Sequence, residues 1–277
     1  MKKMNTASPK DLILNILLAV EGRPLQTREA IAACTLFGIK ASNVRVALAR
    51  LSGSGQIEAM GRGAYQLSPT AAGLAHELGS WKTIEQRLMQ WTGAWVMVCS
   101  GMLGRVDRTA LARRQRALSL LGFKELDRGI HIRPDNLVGG VEFIRERLRR
   151  LGLEKEALVL IAQELDLKRE AQARSLWDSQ ALIVAYRQTR KRLEYSLAKI
   201  DALDLKEAAR ESFLLGEEAI RQMIYDPLLP FPLVDEAERQ SCLAVVQRYD
   251  KVGHEIWRRI SDNQPIEQKS VHITTLN

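Results

Sequence analysis

Cysteine and histidine are scarce in this 277-residue chain, with three of the first and four of the second. Cys34, Cys99 and Cys242 are odd in number and far apart, which argues against a disulfide framework and for a reducing cytoplasm. His76, His131, His254 and His272 are isolated, and no Cys or His pair has metal-ligand spacing. There is no Walker loop, no Gly-x-Gly-x-x-Gly after a strand, and no local motif for a Ser/His/Asp set. Long apolar runs are missing too. The longest, Leu12–Val20, is broken by Asn15 and is too short to span a bilayer. Met1-Lys2-Lys3 ahead of it has the look of a secretory leader, but Lys10 and Asp11 stand at the edge of the run and no small-x-small pattern follows. Internal repeats and low-complexity segments are also lacking.

What is present is globular: 46% hydrophobic and 27% charged residues, which excludes a disordered tail protein and leaves room for two or three modest domains. The net charge is +8 and is unevenly placed. Residues 1–80 carry nine basic and five acidic side chains, residues 81–160 fifteen and nine, and residues 161–277 seventeen and nineteen. The pattern predicts a polyanion-facing front and an assembly or ligand-binding back.

The front reads as a winged helix-turn-helix. Ser8-Pro9 opens a helix whose residues Leu12, Ile13, Ile16, Leu17 and Val20 keep helical spacing, and Glu21-Gly22-Arg23-Pro24 ends it. Thr27 is placed to cap a second helix, to about Cys34, and Phe37-Gly38-Ile39 forms a compact turn. Ser42 is placed to cap a third, with Val44, Ala47, Leu48 and Leu51 inward. At 100° per residue the opposite face shows Ser42, Arg45, Val46, Ala49 and Arg50, with Asn43 at its margin. Two arginines suit guanine edges or phosphates, and Val46 and Ala49 permit close approach to a thymine methyl. Lys40 and Ser42 at the helix start favour phosphate. Gln56–Ala59 and Ala64–Leu67 read as strands, and Gly61-Arg62-Gly63 as a wing tip carrying one cation for the minor groove.

The middle has the order β-α-β-β-α-β of a ferredoxin-like sandwich. Its strands are expected at Trp95–Cys99, on both sides of Asp127-Arg128-Gly129, and at Ala157–Ala162, with Arg133-Pro134 as a stop. Asp107 caps its first helix, with Arg113, Arg114 and Arg116 outward, and Arg145, Arg147, Arg149 and Arg150 form a basic run on the second. The final strand lies at a sheet edge, and Leu158-Val159-Leu160-Ile161 is apolar enough to require a cover from another domain or subunit. The back reads as three helices: Glu170 to about Ile200, Lys206–Ile224, and Val234–Ile260 with a frayed tail. Gly216 suggests close approach of another backbone, and Asp226-Pro227-Leu228-Leu229-Pro230-Phe231-Pro232 an extended, polyproline-like crossing. The expected class is therefore α+β and mostly helical. A winged helix-turn-helix spans 1–80, a ferredoxin-like α/β domain 81–168, and a helical domain for dimerisation or effector binding 169–277.

Four segments carry a family likeness: Asn43-Val44-Arg45-Val46-Ala47-Leu48-Ala49-Arg50-Leu51, Gly61-Arg62-Gly63-Ala64-Tyr65-Gln66-Leu67-Ser68, Trp91-Thr92-Gly93-Ala94-Trp95, and Asp226-Pro227-Leu228-Leu229-Pro230. With them the chain resembles the PaaX family, repressors of phenylacetic acid degradation operons. The resemblance implies a homodimer bound to double-stranded operator DNA and released by a small-molecule effector, phenylacetyl-CoA or another aryl-CoA. It implies no enzymatic activity, no metal and no membrane partner. The DNA-facing residues expected on both grounds are Lys40, Ser42, Asn43, Arg45, Val46, Ala49, Arg50 and Arg62. Two rivals stand beside this reading: a metal-dependent nuclease on the ferredoxin-like domain, and an acyl-CoA-binding interaction module. Such nucleases place an Asp after their first strand, where this chain has Ser100-Gly101.

Overall fold

The computed structural model describes residues 8–19, 23–69, 71–72, 79–104 and 106–262. Expectations for Met1-Lys2-Lys3, Val20, Glu21-Gly22, His76, His272 and the tail after Asp262 lie outside the described residues. The chain is a mixed α+β protein with two small antiparallel sheets.

Helices α1 (Pro9–Ala19), α2 (Thr27–Thr35) and α3 (Ala41–Gly53) and strands β1 (Leu25–Gln26), β2 (Ile57–Ala59) and β3 (Ala64–Leu67) form the N-terminal head. The Ser8 hydroxyl accepts from the Asp11 amide at 3.2 Å, so α1 starts where Ser-Pro predicts. Two caps differ from expectation. α2 begins at Thr27 itself, its end held by the Glu29 carboxylate accepting from the Gln26 amide at 2.9 Å. α3 begins at Ala41 with Lys40 at the cap position and no side-chain cap, so Ser42 sits within the first turn. Leu12, Ile13, Val44, Leu48, Leu51 and Ile57 fill the head core. Each such side chain contributes about 1.5–3 kcal/mol by leaving water.

The body follows. A 3-10 segment (Ser80–Arg87) precedes β4 (Trp95–Cys99), α4 (Arg108–Leu120), β5 (Lys124–Asp127), β6 (Ile130–Pro134), α5 (Gly140–Arg150) and β7 (Leu158–Ala162). The four strands pair antiparallel in the order β5-β6-β4-β7, with Val98 opposite His131 on one side and Val159 on the other. Asp107 caps α4 by accepting from the Thr109 and Ala110 amides at 2.8 and 3.1 Å. β6 ends at Pro134, opposite Trp95, so Arg133-Pro134 is the stop that the sequence predicts. One expectation fails here. Arg114 and Arg147 point inward, so neither helix presents an unbroken basic face. On β7, Leu158 and Leu160 remain 52% and 38% exposed, so of the two expected covers the described residues of this chain do not supply a domain, and a second subunit is the other.

Helices α6 (Leu167–Arg174), α7 (Ser179–Leu197), α8 (Leu205–Ile224) and α9 (Glu236–Asp262) complete the chain. The single helix expected to begin at Glu170 is two. The chain breaks after Arg174, and Asp178 restarts it by accepting from the Ala181 amide at 2.8 Å. Gly216 faces the Tyr249 ring, not a backbone, and a Cβ there would sit at an ordinary 3.8 Å. The proline-rich crossing departs from polyproline geometry at Leu228, whose φ is +53°. One continuous core runs from Trp81 through the sheet to Ile256, whereas the head keeps its own.

Candidate nucleic-acid interface

On α3 the projected split holds: Val44, Leu48 and Leu51 are buried, while Ser42, Asn43, Arg45, Val46, Ala49 and Arg50 are exposed. Val46 is 49% exposed on an otherwise polar face. The helix contains no acidic residue. Neither Arg45 nor Arg50 makes a side-chain hydrogen bond or ion pair among the described residues, so both keep their full donor sets. Lys40 is exposed beside the first turn, whose amides lack a side-chain cap. A helix end in that state favours an anion.

Strands β2 and β3 form a hairpin with Ile57 opposite Leu67, and β1 adds to β3 on its other side. The two-residue strand β1 escaped sequence reading because it is too short to show periodicity. At the hairpin tip Gly61 and Gly63 have φ of +117° and +71°, and Arg62 between them is exposed and has no side-chain partner among the described residues. Thr27 replaces its expected capping role with another. Its amide and hydroxyl both donate to the Gly63 carbonyl, at 2.7 and 2.9 Å, and tie the tip to the start of α2. A Cβ at Gly63 would meet the Thr27 hydroxyl at 3.3 Å and would also need a left-handed backbone. The fold thus brings Lys40, Ser42, Asn43, Arg45, Val46, Ala49, Arg50 and Arg62 to the surface of one small domain.

The body holds its polar groups inside. Asp226 is buried and accepts from the Tyr186 hydroxyl at 2.6 Å and the Leu228 amide at 2.8 Å. Burial pushes the Asp226 carboxyl above the usual carboxylate range. The Leu228 carbonyl accepts from Asn136 at 2.8 Å, and Asn136 accepts from Arg133 at 2.9 Å. Arg239 donates to the Leu229 carbonyl at 2.8 Å and to Glu85 at 3.1 Å. After β4, where a nuclease would hold a metal-binding Asp, the Ser100 amide donates to the Gly129 carbonyl at 2.7 Å. Among the described residues no group of three or more His, Cys, Asp or Glu is placed to hold a metal ion. No described helix is long and apolar enough to cross a membrane.

The family model for the PaaX-like protein C-terminal domain matches residues 177–259. Residues 177–259 are thus similar to the C-terminal domain of PaaX-like proteins. Among solved structures, the uncharacterized protein Rv0674 from Mycobacterium tuberculosis shares the fold, with a TM-score of 0.58 and 23% identity over 92% of this chain and 97% of that one. No curated protein matches.

The matched segment begins at Trp177, whose ring stacks on Trp95 of the sheet at 6.2 Å. The Asp226–Pro230 segment within it supplies the carbonyls that receive Asn136 and Arg239. Asp226–Pro230 is therefore a joint between helices and sheet. Sequence reading found the motif but missed Arg133, Asn136, Tyr186 and Arg239 as its partners, since they lie up to 93 positions from Asp226. Between α7 and α8 lies an open groove of about 860 Å3, lined by Lys191, Tyr195, Leu203, Arg210, Leu214 and Leu215 among others.

Proposed function

We propose that the chain is a DNA-binding transcriptional repressor that acts as a homodimer and is released by an aryl-CoA or related effector. Residues 8–67 form the winged helix-turn-helix head, with α3 as recognition helix and the β2–β3 hairpin as wing. The βαββαβ body is a ferredoxin-like sandwich, and the PaaX-like domain completes it. The observation that carries this reading is the outward face of α3: two unpaired arginines, an exposed valine and no acid, on a helix that presents its other face to a core. Arg45 and Arg50 reach base edges or phosphates in the major groove, and Arg62 enters the minor groove.

A dimer reads two half-sites about 34–36 Å apart or a multiple of that distance. The apolar edge of β7 supports self-association, since exposed Leu158 and Leu160 on a strand paired on one side alone invite a second copy. The groove between α7 and α8 has room for an effector and offers Lys191 and Arg210 to an anionic group.

The test is a titration against the DNA upstream of the protein's own gene, with and without phenylacetyl-CoA and other aryl-CoA esters. Binding should weaken with salt at a log–log slope of about −0.9 per phosphate contacted, and one thioester should abolish it. Binding indifferent to every thioester would discard the effector and keep the repressor. Absence of specific binding anywhere in the genome would overturn the DNA-binding reading.

A further inference from the structure

The head and the body keep separate cores, yet one aromatic cluster joins them. Phe37 lies in the turn between α2 and α3. Its ring meets Phe213 of α8 edge-on at 5.3 Å and stacks on Trp257 of α9 at 6.5 Å, with an interplanar angle of 4°. Phe213 and Trp257 meet each other at 6.1 Å. All three separations lie where aromatic rings attract. Phe213 packs against the head core, and Leu36, next to Phe37, packs against the body core. A second contact sits one turn along α8, where Asp11 and Asn15 of α1 lie near the Glu217 carboxylate.

We propose that Phe37 is a positioning residue for DNA binding: α8 and α9 grip the turn that launches the recognition helix, so the PaaX-like domain sets the direction of α3. This rests on the DNA-binding reading above. Gly38 follows Phe37 with φ of +71°, and the Ile39 amide donates back to the Cys34 carbonyl at 3.1 Å, so the turn itself is firm. A push on Phe37 is therefore carried to α3, which begins four residues later. The docking leaves Ser42, Asn43, Arg45, Val46, Ala49 and Arg50 exposed, so it aims the reading face without covering it. A different side of α8 contributes Arg210, Leu214 and Leu215 to the open groove, so a displacement of α8 there reaches Phe213. For a dimer, a fixed head direction means a fixed distance between two recognition helices.

The experiment uses the full chain, with duplexes selected by the wild-type protein from a random library. Half-site spacing is then varied by a few base pairs. Engaging two half-sites together gains about 10²- to 10⁴-fold over one. Phe213→Ala loosens the head from the body side, without altering the head's own sequence. It should lose about tenfold of that gain at the native spacing, tolerate altered spacings, and bind a single half-site as wild type does. Phe37→Ala should behave alike, and Phe37→Tyr, which keeps the ring, should restore spacing preference. Hydrogen exchange without DNA should quicken across residues 27–39 in Phe213→Ala. Retained spacing preference, or unchanged exchange, would overturn the proposal. If the wild type selects no duplex, the DNA-binding reading falls and the positioning role with it, while the exchange data still report whether the head is docked.

Discussion

Arg45, Arg50 and Arg62 in the head reach solvent without a side-chain partner, whereas Arg114, Arg133 and Arg239 in the body are sealed in by carboxylates and carbonyls. Arg114 grips Glu154 with two nitrogens, at 3.0 and 2.5 Å, and holds that carboxyl below the usual range. Arg133 is fully buried and donates to the Leu121 and Pro134 carbonyls and to Asn136. A guanidinium leaves water at low cost only where its donors are met, so Arg114 and Arg133 are structural, whereas Arg239 keeps its Nη2 buried without a partner among the described residues. Residues 81–160 have the larger basic excess by count, but several of those cations face inward. Formal charge along a sequence overstates the charge offered to a partner. The head, with the smaller excess, offers more of what it has.

The sharpest way to break this contrast is Arg133→Ala. It strands two buried carbonyls and the Asn136 side chain and leaves a cavity at the joint of sheet and helices. Unmet buried groups cost about 1–3 kcal/mol each and the cavity adds to them, so we expect a loss of about 3–5 kcal/mol. A urea titration measures it as a lower midpoint. A loss below about 1 kcal/mol would mean that water replaces the guanidinium without penalty, and the body's arginines would not be structural in this sense.

Arg45→Ala is the counterpart in the head. Stability should stay within about 0.5 kcal/mol, because the side chain has no partner to strand. Operator affinity should fall by about 1–3 kcal/mol if Arg45 is bidentate to a guanine. Arg149→Ala, on the exposed side of α5, is the control. It carries the same formal charge, and operator binding should move by less than about 0.5 kcal/mol. Equal losses at Arg45 and Arg149 would erase the distinction between head and body, and equal loss at Arg45 on specific and random DNA would make it a phosphate contact only.

What was legible in the sequence follows the same divide. In the head, short local rules sufficed. A three-residue apolar stripe on α3 fixed both its buried and its exposed sides, and Gly-Arg-Gly between two apolar strands fixed the hairpin. The central strand Trp95–Cys99 was equally plain, because a continuous apolar run has few other fates. Several failures involve a residue whose partner is distant. Arg114 looks outward until Glu154 is seen 40 positions away, and nothing beside Arg133 in the sequence marks the Leu121 carbonyl that receives its guanidinium. Ser42 and Thr27 fit the cap rule by type, but Lys40 holds the cap position in one case and Gly63 claims the hydroxyl in the other. Phe37 read as a turn residue, and nothing local marks Phe213 and Trp257 as its neighbours.

The smallest expected effect lies where the two regions meet. Burial of Glu217, and after it the nearby Asp11 of the head, push its carboxyl above the usual range, while Arg221 and Asn15 pull it down. A docked carboxyl with a raised pKa binds protons that the undocked one has released. Docking therefore weakens as pH rises from the ordinary glutamate value through the raised one, and levels off above it. Glu217→Gln keeps an acceptor for Asn15 and removes the charge facing Asp11. Its hydrogen exchange across residues 9–19 should lose this pH dependence and, at neutral pH, be slowed modestly or stay equal, since a half-exposed carboxyl is partly screened. Faster exchange in the variant would show that Asn15 needs a charged acceptor. Charge at the boundary would then fasten the head, as it fastens the body's interior, and the line between the two regions would have to be drawn on the far side of α1.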